Sequence, residues 1–121
     1  MDIDVLMFFD GRPEEYALYR AVEGCILSRF PETKIKVQKT QIAFSDRYGF
    51  AFVSHPRRKT AQPAILLTLG LARRLNSPRV MHASEPYPGR WTHHFLLSSP
   101  DELDGELTGW ICEAHGFALF K

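Results

Sequence analysis

Cysteine is scarce: the 121-residue chain holds two, Cys25 and Cys112. Two cysteines cannot build a disulfide framework, so a reducing compartment, the cytoplasm, is the expected setting. No apolar run approaches the roughly 18 residues that a membrane-spanning helix requires. The start, Met1-Asp2-Ile3-Asp4, is acidic where a signal peptide is basic. No Cys-x-x-Cys, His-x-x-x-His or EF-hand spacing occurs, and no metal site is expected. A Gly-x-x-x-x-Gly-Lys phosphate loop and a Gly-x-Ser-x-Gly elbow are both missing. Internal repeats, linkers and low-complexity tracts are absent as well. No motif identifies a reaction, and no cofactor is implied.

What remains is an ordinary globular composition, 45% hydrophobic and 24% charged. The length suits one domain over residues 1–121. Net charge is +1, but it is unevenly spread. Residues 1–32 carry seven acids against three bases, −4. Residues 33–99 carry eleven bases against Asp46 and Glu85, +9. Residues 100–121 carry five acids against Lys121, −4. Such asymmetry speaks of partners rather than of fold.

Hydrophobic spacing predicts a short helix over 2–9, broken by Asp10-Gly11. Pro13 suits the first position of a second helix, and Glu14 and Glu15 complement its positive end. Tyr16, Tyr19, Val22, Ile26 and Phe30 recur near the helical period, so this helix runs over 13–29 and stops before Pro31. The period then becomes two. Ile35 and Val37 alternate with lysines, residues 41–54 read as a hairpin turning at Asp46-Arg47-Tyr48-Gly49, and 64–71 is the most apolar strand. Residues 72–90 read as a long irregular loop, and 91–98 as the last strand. Ser99-Pro100-Asp101-Glu102 has the form of a capping box opening a helix over 100–115, with Gly116 as its stop. The expected class is α+β: a curved antiparallel sheet of about five strands with two long helices on one face.

The candidate chemistry lies between and on the strands. His93 and His94 are neighbours on a predicted strand and must point to opposite faces, so they cannot share an ion. Cys25 and Cys112 fall in helix patterns without the cationic setting of a reactive thiol. Tyr87-Pro88-Gly89-Arg90-Trp91-Thr92-His93-His94 combines a stiff turn, a cation, an indole, a hydroxyl and two imidazoles. Such a set can line a polar pocket for a small anion or carboxylate. Arg57-Arg58-Lys59 is a basic loop, but three loop charges are ordinarily just solvated, which makes nucleic acid the less favoured partner.

Four stretches carry a resemblance: Val37-Gln38-Lys39-Thr40-Gln41-Ile42-Ala43-Phe44, Phe50-Ala51-Phe52-Val53, Arg90-Trp91-Thr92-His93-His94 and Ser99-Pro100-Asp101-Glu102-Leu103-Asp104. Over most of residues 13–115 the chain resembles the bacterial family called domain of unknown function 5655. The resemblance implies no activity to carry over. The family occurs alone and appended to other bacterial domains, as ligand-binding or interaction modules do. Some of its members bear a loose label of transport protein, which nothing in this sequence supports.

The expectation is therefore a module that binds an anionic small molecule or a protein partner on the open sheet face through Lys39, Gln41, Arg73, Arg90, Thr92 and His94. The alternatives are a hydrolase-type enzyme using His93 or His94 with Glu85, and a nucleic-acid accessory domain using residues 57–59. Self-association into a homodimer would be another way to satisfy the uneven charge.

Overall fold

The computed structural model describes residues 3–119. Asp2, the first residue of the expected short helix, lies outside them. Two helices come first, α1 (Ile3–Phe8) and α2 (Pro13–Arg29). Six strands follow: β1 (Lys34–Val37), β2 (Ile42–Ser45), β3 (Gly49–Ser54), β4 (Ile65–Leu71), β5 (His82–Tyr87) and β6 (Arg90–Leu97). A 3-10 turn (Pro100–Glu102) leads into α3 (Gly105–Leu119). The class is α+β, with one open, curved antiparallel sheet in the order β1-β2-β3-β4-β6-β5.

Strand alternation decides the two faces. Ile65, Leu67, Leu69 and Leu71 of β4 point to the helices and are fully buried. Their cross-strand partners on that face include Val53, Ala51, Phe95 and Leu97. Leu18, Tyr19, Val22 and Ile26 of α2 and Leu107, Ile111, Ala114 and Ala118 of α3 complete one continuous core. Both long helices thus cover the same face. A bulge in the β2–β3 pair, between Phe44 and Ser45, leaves Phe50 as an extra residue. A bulge bends its strand and re-aims a side chain. Phe50 accordingly meets Phe30 and His115 on the helix side, with ring centroids 6.0 and 5.0 Å away.

Two stretches differ from the sequence reading. The sheet has six strands rather than five, because residues 82–87 within the expected 72–90 loop form β5 on the edge beside β6. β5 was illegible because it is an exposed edge strand containing Pro86, without apolar alternation. The connection before it is held down: Leu75 is buried in the core, and Arg79 donates to Asp104, Glu106 and the Glu102 carbonyl. At the other junction, the Ser99 box closes the 3-10 turn and not the long helix. Ser99 Oγ accepts from Asp101 N, while the Glu102 carboxylate accepts from Ser98 N and Ser99 N. Asp104 opens α3 instead, its Oδ1 accepting from Leu107 N at 3.0 Å. Gly116 does not end α3, which continues to Leu119.

Candidate functional site

The open face is where polar side chains gather. Antiparallel pairing sets His94 opposite Thr68 of β4 on one side and opposite His82 of β5 on the other. Thr68 Oγ1 and His94 Nδ1 are 2.9 Å apart. The His82 ring lies nearly parallel to that of His94, with centroids 5.9 Å apart and planes 17° from parallel. Two residues along the strands, Leu66 and Leu96 are cross-strand partners and make an apolar floor. The chain leaving β3 then brings Pro56, Arg57, Arg58 and Thr60 to the same place, and Met81 and Ser84 close the far side. The result is an open concavity of about 860 Å³. Small-molecule sites have volumes of roughly 300–1,000 Å³.

Its electrostatics are one-signed. Arg57, Arg58, His82 and His94 line it, and no acid does among the described residues. Among the described residues neither Arg57 nor Arg58 has an acidic ion-pair partner. Burial, followed by the nearby His82, Arg57 and His93, holds the His94 imidazole below the usual histidine range. A bound anion would oppose each of the charge effects.

His93 faces the other way, as its neighbour's position requires. It is fully enclosed in the core, and its Nε2 accepts from Leu75 N at 2.9 Å. An accepting Nε2 makes the ring the neutral tautomer with its hydrogen on Nδ1. Among the described residues that Nδ1 has no hydrogen-bond partner. The Leu69 and Trp91 carbonyls lie close enough to favour a proton, but burial outweighs them and keeps the pKa low. His93 is a fixed strut between β6 and the 72–81 connection.

The residues expected from sequence are dispersed. His94 lines the concavity. Thr92 sits on the same face, opposite Ser84. Lys39 and Gln41 belong to the β1–β2 turn at the opposite edge of the sheet, where the Gln41 side chain donates to Gln38. Arg73 makes a two-pronged ion pair with Glu113 of α3, at 2.9 Å on each arm. Arg90 lies at the tip of the β5–β6 hairpin, its guanidinium 6.0 Å from the Tyr87 ring centroid. Glu85 is at the same tip, accepting from Gly89 N, and among the described residues no ion pair joins it to either histidine. Arg57, Arg58 and His82 come to the site although the sequence reading assigned them to other roles or none. The basic triplet was visible. Its nearness to His94 depends on β5 and on the path of the loop, which no local pattern encodes.

A family model described as Domain of unknown function (DUF5655) matches residues 7–118. The chain belongs to this family. The DUF5655 match spans α2, all six strands and nearly the whole of α3, so every residue of the concavity lies inside it. No curated protein and no solved structure matches the chain. Among the described residues of this DUF5655 domain, no cluster of three or more His, Cys, Asp or Glu side chains could hold a metal ion. Nor is any described helix long and apolar enough to cross a membrane.

Proposed function

We propose that this DUF5655 domain is a binding module for a small organic anion. Arg57, Arg58, His82 and His94 receive the carboxylate or phosphate, and Leu66, Leu96 and Met81 hold the apolar body. The observation that carries the reading is this convergence of four nitrogen-bearing side chains over an apolar floor with no acid among them. Guanidinium groups bind planar oxyanions by paired hydrogen bonds, and such charge-assisted bonds are the stronger kind. Among the described residues the two arginines have no ion pair to break before a ligand arrives.

Thermal melting with benzoate and with phenyl phosphate tests the reading. A ligand that binds only the folded state at 100 times its Kd adds about 2.7 kcal/mol. At low salt either anion should raise the Tm, and the rise should shrink above about 0.15 M, where the Debye length falls to about 8 Å. The double variant Arg57→Ala/Arg58→Ala should keep the ligand-free Tm, since exposed unpaired charges contribute little to stability. It should lose the ligand-induced rise. An equal rise in the double variant, or none with either anion at any salt, would refute the assignment.

A further inference from the structure

The next step rests on the anion-binding reading and specifies the ligand and the proton that accompanies it. His94 is tied at one nitrogen, with Thr68 Oγ1 2.9 Å from Nδ1. A hydroxyl can donate to or accept from a ring nitrogen by turning its O–H. While the ring is neutral with Nε2 protonated, Thr68 donates to Nδ1. When Nδ1 gains a proton, Thr68 turns and accepts. In both states Nε2 presents a hydrogen, and neither side chain has to leave its place. His82 lies parallel beside it on β5, a second imidazole within 5.9 Å between centroids.

The groups facing His94 are His82 from β5, Arg57 and Arg58 from the loop after β3, and His93 beneath it on the other face of the sheet. Thr68 on β4 is neutral, and among the described residues no acid lines the concavity. The empty site therefore resists an added proton, whereas an anion among these groups reverses the local field. The donors also approach from two sides, the loop and the sheet. A carboxylate offers two oxygens in one plane, but a tetrahedral ester group offers three terminal oxygens that donors on both sides can meet. We propose that the concavity takes a phosphate or sulfate ester, and that binding draws about one proton onto the His82–His94 pair.

Calorimetric titration of the full chain with phenyl sulfate, from pH 8.5 to 5.5, tests this. Phenyl sulfate keeps a constant charge over that range, whereas a phosphate ester has its own second ionisation near pH 6. Comparing buffers of different ionisation enthalpy counts the protons taken up. If binding raises one imidazole pKa by about one unit, phenyl sulfate should bind up to about tenfold tighter at pH 5.5 than at pH 8.5. Benzoate should bind more weakly than phenyl sulfate throughout. His94→Gln should flatten the pH dependence, and His82→Gln, on the exposed edge strand, probes the same pair if the first variant folds poorly. Arg57→Ala should weaken binding at every pH. An unchanged Kd with no proton uptake, or a slope surviving in both histidine variants, would overturn the proton coupling. Benzoate binding as tightly as phenyl sulfate would overturn the ester preference alone. Failure of both probes to bind at pH 5.5 would instead remove the anion-binding reading beneath it.

Discussion

Acidification should loosen this fold through His93, and the effect can be isolated by one substitution. The ring is enclosed, neutral, and accepts the Leu75 N–H at Nε2. Protonating Nε2 would place two N–H groups against each other across 2.9 Å. Burial keeps the folded-state pKa of His93 below its ordinary value, so the unfolded chain takes the proton first. Stability from this group is then full above the ordinary pKa of about 6.5 and declines as pH falls from there towards the folded-state value. If the folded ring stays neutral, one such histidine removes about 1 kcal/mol between pH 6.5 and 5.5, and the limiting slope is about 1.4 kcal/mol per pH unit. His94 has a lowered pKa too and adds to the slope in the same direction. His93→Leu separates the two. The variant should lose about 1–3 kcal/mol at pH 8, because the buried Leu75 N–H is left without an acceptor. Its acid dependence should also fall by about one proton. Urea melts of both proteins from pH 5 to 8 supply the numbers. An acid slope that is the same in the variant would refute the reasoning, as would a wild type whose stability does not fall below pH 6.5.

Other substitutions test the packing and the helix start. Leu67→Ala, in the middle of the central strand, should cost about 2–5 kcal/mol in a denaturant melt, and a loss under about 1 would mean that the core is misplaced. Trp110 packs on Phe95, with centroids 5.6 Å apart, but it is only partly buried. Trp110→Ala should therefore cost about 2 kcal/mol, less than the 3–5 typical of an enclosed ring. Ser99→Ala should cost at most about 1 kcal/mol, as it frees only a 3-10 turn. Asp104→Ala should lower the Tm further, since Asp104 both caps α3 and receives Arg79. Equal Tm values for these two variants would contradict the assignment of Asp104 as the cap.

The fold was legible where period and chemistry agree. The 3.6-residue recurrence from Tyr16 to Phe30 marks α2, and the apolar run over 64–71 marks the central strand. Adjacency alone put His93 and His94 on opposite faces. Three features were not legible, each because tertiary contacts decide it. β5 has no apolar alternation and is held by its ladder with β6 and by a connection anchored at Leu75 and Arg79. The capping box at Ser99 is real, but the chain turns again before α3, and Asp104 takes over. Phe50 turns inward only because of the bulge. The site follows the same division. His94 could be read from the sequence, while the meeting of His82, Arg57 and Arg58 around it depends on strand order and loop path. The uneven charge was also legible in part, but Arg73 and Arg79 reach back to acids at α3. The basic excess is therefore not confined to the open face.

The central claim is that an organic anion sits between the loop after β3 and the β4–β6–β5 face. Amide and imidazole NMR spectra recorded during a phenyl phosphate titration at low salt test it most directly. The account predicts saturable shifts at Arg57, Arg58, Leu66, His82, His94 and Leu96, with His93 and the β1–β2 turn unmoved. Shifts confined to Lys39, Gln41 or the β5–β6 hairpin tip, or no saturable shift anywhere, would contradict it.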